Sequence, residues 1–130
     1  MKVRHVAVAC SSQENADRFY GGILGLEKMK SSTLTGELAK QIFDTPHGCQ
    51  FVLYAGEEIA FEVFLPEKMP EKAVPYVHTC LEVEDRNNFI RRCGQSGCVV
   101  KRVKKNDSEI IFLSDYDGNL FEIKENSNAL

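Results

Sequence analysis

Val3-Arg4-His5-Val6-Ala7 near the start of the chain and Tyr76-Val77-His78-Thr79-Cys80 past its middle are two versions of one phrase, a histidine set in a short apolar run. Each opens a half that closes on a second shared phrase, Ala60-Phe61-Glu62-Val63-Phe64 in the first and Leu120-Phe121-Glu122-Ile123-Lys124 in the second. Both halves therefore begin with a strand histidine and end with a Phe-Glu-apolar strand. Two imidazoles and two carboxylates form a mixed nitrogen and oxygen set that suits a divalent ion such as Zn, Ni, Co or Mn. The candidate metal ligands are His5, Glu62, His78 and Glu122.

The segments between these phrases repeat as well. After a first strand over residues 3–10, Ser11 or Ser12 caps a helix in which Ala16, Phe19, Tyr20 and Ile23 fall at helical spacing, ending at Gly25. A strand over 26–34, a short helix from Gly36 to Phe43, and strands Gln50 to Tyr54 and Ile59 to Phe64 complete a βαβββ plan with one inserted helix. The second half reads as strand Val77 to Val83, helix Arg86 to Cys93 started by Asp85, and strands near 98–104, 109–114 and 119–124. Asp115-Tyr116-Asp117-Gly118-Asn119 supplies the residues of a tight reversal. The interval between the two glutamates is shorter than that between the two histidines, and the helix at 36–43 is the surplus. The expected organisation is one domain of two modules, 1–65 and 76–125, joined by a linker at 66–75.

Strand parity decides whether the four side chains can share a surface. Alternate residues of a strand face the same way, so His5, Ala7 and Ala9 oppose Val6 and Val8, while His78 and Cys80 oppose Val77 and Thr79. Glu62 and Glu122 likewise oppose the phenylalanines before them. One side of each sheet is then apolar and suits a helix, and the other carries the polar set, where Ala7, Ala9 and Ala60 would leave room for a ligand. The helix at 36–43 is expected either to cover the mouth of that pocket, with Lys40, Gln41 or Phe43 available to touch a substrate, or to be a simple packing element. His47, in a loop before Gly48, lacks such a partner and is expected to be exposed, and Cys80, which could add a soft ligand, is expected to be a small buried residue beside the site.

Composition narrows the function. At 130 residues with a net charge of −3, the chain lacks the positive field that holds a phosphate backbone, so nucleic acid is not the expected partner. Lys101-Arg102-Val103-Lys104-Lys105 is a local exception, read as a charged edge strand that discourages sheet aggregation, or as a contact for an anionic substrate tail. Neither an apolar leader nor a run long enough to cross a bilayer is present, which gives a cytoplasmic protein with no membrane partner as the expectation. Five cysteines without a CxxC read as reduced thiols, with Cys93 and Cys98 packing around a Gly-containing turn.

With Val3-Arg4-His5-Val6-Ala7-Val8, Phe19-Tyr20-Gly21-Gly22-Ile23-Leu24-Gly25-Leu26, Phe61-Glu62-Val63-Phe64-Leu65-Pro66, Val77-His78-Thr79 and Asp115 to Glu122 together, the chain resembles the vicinal oxygen chelate superfamily, which includes glyoxalase I, bleomycin-resistance proteins and extradiol dioxygenases. The resemblance spans almost the whole length. It implies an α+β fold in which two βαβββ modules form a cup-shaped, mixed, eight-stranded sheet with helices outside, and it places a metal on His5, Glu62, His78 and Glu122. Fosfomycin-modifying enzymes and extradiol dioxygenases typically use two histidines and one glutamate, matching His5, His78 and Glu122. The additional Glu62 makes the chain more similar to glyoxalase I.

Such a centre implies a metal-dependent lyase or isomerase related to lactoylglutathione lyase. A divalent ion chelating two adjacent substrate oxygens acidifies the C–H between them and stabilises an enediolate. Glu122, by resemblance to glyoxalase I, or Glu62, by the symmetry of the repeat, would be the catalytic base. The alternatives are a methylmalonyl-CoA epimerase-like acyl-CoA epimerase and a protein that binds a small molecule or metal without turnover. Glutathione-dependent relatives commonly carry an arginine and an asparagine where this chain has Ala9 and Pro66, so the small-molecule substrate is expected to be something other than a glutathione adduct. The short linker implies a homodimer in which His5 and Glu62 of one chain meet His78 and Glu122 of the other.

Overall fold

The computed structural model describes residues 1–71 and 74–126 and divides into two compact units, Met1–Glu71 and Lys72–Leu130. Residues 72 and 73 of the expected 66–75 linker lie outside the described residues. The first unit runs β1 (Val6–Ala9), α1 (Gln13–Ala16) leading directly into a π-helical segment (Asp17–Ile23), β2 (Glu27–Leu34), α2 (Gly36–Phe43), β3 (Cys49–Ala55) and β4 (Ala60–Leu65). The second runs β5 (Thr79–Val83), α3 (Arg86–Gln95), β6 (Val100–Lys105), β7 (Ser108–Ser114) and β8 (Leu120–Glu125). All eight expected strands are present and form two four-stranded sheets, ordered β1-β4-β3-β2 and β5-β8-β7-β6. In each, the first strand pairs parallel with the last and the remaining neighbours are antiparallel. This is α+β architecture built twice.

The repeat extends to the register. Ala7 lies opposite Glu62 and Cys80 opposite Glu122; on the far side of the glutamates stand Leu53 and Phe112. The units differ in how their second and third strands connect. β6 turns into β7 through Asn106, in the left-handed region at φ 56, whereas β2 reaches β3 through α2 and the loop behind it. Thr35 caps α2 by accepting from the Leu38 N–H, and Asp44 ends it in a left-handed conformation at φ 54. The loop then returns so closely that a Cβ on Gly48 would stand 2.1 Å from the Leu34 carbonyl oxygen. Only glycine fits there.

Each sheet buries the face opposite its histidine. Val52, Tyr54, Phe61 and Val63 pack without exposure beneath Phe19 and Tyr20, and Ile111, Leu113, Phe121 and Ile123 pack beneath Phe89, Ile90 and Cys93. Each such side chain contributes about 1.5–3 kcal/mol of burial. An uninterrupted amphipathic α-helix was expected over 13–23. Instead Leu24 N–H bonds to Phe19 C=O, an i to i−5 pattern, across Gly21-Gly22, where α-helical preference is weakest. Both adjacent aromatics, Phe19 and Tyr20, are buried in the core, with Tyr20 set 5.1 Å from the Phe61 ring.

Tyr54 is fully buried and its hydroxyl donates to Asp17 Oδ1 at 2.6 Å. Burial pushes the Asp17 carboxyl up, but hydrogen bonds from Tyr54, Gln13 and Lys28 outweigh that, and its pKa is lowered. A carboxyl lowered on folding adds stability above its unfolded pKa and loses it as pH falls through the folded one. Tyr54→Phe is therefore expected to cost about 1–2 kcal/mol at neutral pH, limited by solvent screening around the half-exposed carboxylate. Urea unfolding should show that deficit, and it should shrink below the ordinary carboxylate range.

Candidate metal centre

The two histidines do not lie within the strands, as expected, but one residue ahead of them. The β1–β4 ladder starts at Val6 opposite Phe61 and the β5–β8 ladder at Thr79 opposite Phe121, so neither imidazole is tied into a ladder. Tyr76, in the left-handed region at φ 74, breaks the extended run before His78. Parity still holds: His5 shares a face with Ala7, hence with Glu62, and His78 shares a face with Cys80, hence with Glu122.

The structure brings the four residues together as two pairs. His5 Nε2 stands 3.8 Å from Glu62 Oε1, and His78 Nε2 stands 3.5 Å from Glu122 Oε1. The glutamate side chains are 23% and 22% exposed and the histidines 44% and 33%, so both pairs are framed by protein yet open to a ligand. Among the described residues, no group of three or more His, Cys, Asp or Glu side chains is gathered at a site that could hold a metal ion.

His78 shows how such a pair suits a cation. Its Nδ1 lies 2.7 Å from the Tyr76 carbonyl oxygen, which can only accept, so Nδ1 carries the proton. In the neutral ring, Nε2 then turns a lone pair towards Glu122. With no proton between them, these two acceptors 3.5 Å apart cannot hydrogen bond to each other, and a shared cation would satisfy both. The nitrogen and oxygen donors of His78 and Glu122 would suit a divalent ion, and the Tyr76 carbonyl orients the ring as outer partners of metal-bound histidines do. Phe112 holds the ring from the side, edge to face at 5.1 Å. Cys80 is exposed rather than buried as expected, because it lies on the open face of β5; desolvation pushes its thiol pKa up and the Glu122 carboxylate adds to that.

The structure places the room expected for a ligand at Ala7 and Ala9, while Ala60 is not among its lining residues. Beside the first pair, within the first unit, lies a mainly apolar pocket of ≈590 Å³ walled by Ala7, Ala9, Leu34, Phe43, Phe64 and Pro66. Of the α2 residues expected to reach a substrate, Lys40, Gln41 and Phe43, it is Phe43 that lines it, and exposed His47 stands at its wall. What the sequence did not indicate is the part played by Leu34, Phe64 and Pro66 as the remaining walls.

Solved structures match this backbone over nearly its full length. A glyoxalase family protein from Bacillus cereus covers 96% of this chain and 93% of its own, with a TM-score of 0.74 and 17% sequence identity. Another from Enterococcus faecalis covers 94% and 95%, with a TM-score of 0.72 and 18% identity. A variant of the fosfomycin resistance protein FosX from Listeria monocytogenes, in complex with Mn(II) and 1S,2S-dihydroxypropylphosphonic acid, covers 97% and 93%, with a TM-score of 0.71 and 15% identity. The chain has the vicinal oxygen chelate fold. No family model and no curated protein matches its sequence. Within a vicinal oxygen chelate fold, the His-Glu pairs are this chain's own, read from its register and distances.

The His78 tautomer is directly measurable. Long-range proton–nitrogen NMR of metal-free protein at pH 8 should show the Nδ1–H form at His78, the reverse of the Nε2–H form a free imidazole side chain prefers. An Nε2–H pattern would remove the orienting role of the Tyr76 carbonyl.

Proposed function

We propose that the chain is a metal-dependent, glyoxalase I-like lyase or isomerase whose centre uses His5, Glu62, His78 and Glu122. The observation that carries this reading is the repetition of a His-Glu pair at equivalent places in the two units, each setting an imidazole nitrogen within 4 Å of a carboxylate oxygen on the same face. A divalent metal such as Zn, Ni, Co or Mn held there would polarise substrate oxygens as a Lewis acid and acidify the neighbouring C–H. One pair offers two protein donors, so a four-ligand centre uses both pairs, either of one chain or shared between the chains of a homodimer.

The chain's own residues then handle the proton. Glu122 is assigned as the base that takes it from one carbon and returns it to the next. Its carboxylate is flanked in register by Cys80 and Phe112, and only about a fifth of it is exposed, which limits competition from water. Glu62 has the same exposure and register and is the second candidate.

A second reading, an epimerase acting on an acyl-CoA, is favoured by one observation. Lys101 lies opposite Phe112, which lies opposite Glu122, so its side chain shares the face of the second pair, two strands away. An anionic substrate tail would meet a cation there, while Arg102 faces away and pairs with Glu109 at 3.0 Å.

Metal analysis of protein purified without chelators should find one divalent ion per assembled centre, and Glu62→Gln or Glu122→Gln should each weaken binding by at least about tenfold. In deuterium oxide, the metal-loaded protein should incorporate solvent deuterium at the carbon next to the carbonyl of a 2-oxoaldehyde–thiol adduct. Failure of stoichiometric metal binding would end this proposal. If centres are shared, mixing His5→Ala with His78→Ala chains restores one intact site per heterodimer; if each lies within a chain, mixing restores none.

A further inference from the structure

We infer that the pocket of the first unit holds an uncharged apolar portion of the substrate, an aryl or branched alkyl group attached to the carbon skeleton that reacts at the metal pair. The inference rests on the proposed function for the word substrate, while the binding site itself stands on its own geometry. Ala7 joins the two: it lies opposite Glu62 in the β1–β4 register and also lines the pocket. A group seated in the pocket is therefore one strand position from a candidate metal-binding carboxylate.

The walls define the chemistry of the occupant. Ala7 and Ala9 withhold side-chain volume from the sheet surface, and the space they leave is floored by Phe64, which stacks on Phe51 at 5.2 Å and meets Phe43 edge-on at 5.6 Å. Phe43 is 53% exposed, an apolar ring presenting unused surface at the pocket wall. The charged lining residues are Glu67 and Lys68, and Lys68 already faces Glu71 at 3.8 Å with both side chains largely in solvent. A charged group inside would lose hydration against aromatic and aliphatic carbon without a buried counter-ion. An aryl or branched alkyl group loses only unfavourable contact with water.

The pocket is pre-formed rather than left over. Ala39, without exposure, anchors α2, Asp44 ends it, and the close approach of Gly48 to the Leu34 backbone pins the returning loop. The second unit has only a tight turn between β6 and β7 where α2 stands in the first. The inserted helix thus builds one wall of the pocket, and at ≈590 Å³ the space lies within the range of small-molecule sites.

The probe is the neutral, solvatochromic ketone 6-propionyl-2-(dimethylamino)naphthalene, titrated into metal-free protein. Wild type and Glu62→Gln should bind one probe per chain with a blue-shifted emission. Ala9→Trp, which fills the pocket, and Phe43→Asp, which places a carboxylate at its half-exposed wall, should each weaken binding at least tenfold while retaining the wild-type circular dichroism spectrum. Should Ala9→Trp not fold, Phe43→Asp decides alone. Unchanged affinity in the folded variants, or no saturable binding by wild type, overturns the inference. Probe binding without deuterium incorporation would tell against the enzymatic reading only, and deuterium incorporation without probe binding against the pocket only.

Discussion

Everything at the candidate centre depends on the parallel pairing of the first strand of each unit with the last. Parallel neighbours hold residues side by side with the same facing, so the register Ala7 opposite Glu62, and Cys80 opposite Glu122, sets each glutamate beside the residue two positions after a histidine. A slip by one residue would turn both carboxylates into the helix-covered core and both phenylalanines outward. Burial of Phe61 and Phe121 therefore fixes the polar pairs: the same strand that drives its aromatic ring under a helix must present its carboxylate on the opposite face. Hydrophobic packing and ligand geometry are two sides of one pleat.

Helices and turns hold that register in place. Buried Asp115 accepts from the N–H groups of Asp117 and Asn119 at 2.9 Å each and from the Asn119 side chain at 2.8 Å, with Gly118 at φ 88 completing the reversal directly before β8. A defined entry to β8 sets the position of Glu122. In the first unit, the Tyr54-Asp17 hydrogen bond ties β3 to the π-helical segment that covers β4. Polar groups buried at these places are satisfied by partners on the neighbouring element, which favours one arrangement over the alternatives a purely apolar contact would allow.

Much of this was legible in the residues. The doubled histidine and Phe-Glu phrases gave the repeat, alternation gave the facing of His5, Glu62, His78 and Glu122, and the long interval in the first half identified α2 as surplus. What escaped the sequence depended on distance along the chain or on backbone detail. The π-helical turn is a backbone detail at Gly21-Gly22 that the i, i+3, i+4 spacing of Ala16, Phe19 and Tyr20 does not express. The histidines stand ahead of their strands because parallel pairing begins only at Val6 and Thr79, although β4 and β8 extend one residue further, and no propensity reports where pairing begins. The pocket needs Ala9, Phe43, Phe64 and Pro66 side by side, a juxtaposition created by sheet register and the fold-back at Gly48.

The register also exposes a division between equivalent units. Across each sheet, on the histidine face, the order is small residue, glutamate, apolar residue, lysine: Ala7, Glu62, Leu53 and Lys30 in the first, Cys80, Glu122, Phe112 and Lys101 in the second. The chemistry-bearing glutamate is constant, while its neighbours differ in size. Alanine beside Glu62 leaves volume, and the inserted α2 walls it; beside Glu122 the Phe112 ring packs edge to face on His78 instead. An internal repeat that keeps its donors while changing the residues around them can assign its halves different tasks. One half is built to admit a ligand, and the other to hold an imidazole in a fixed tautomer next to a carboxylate.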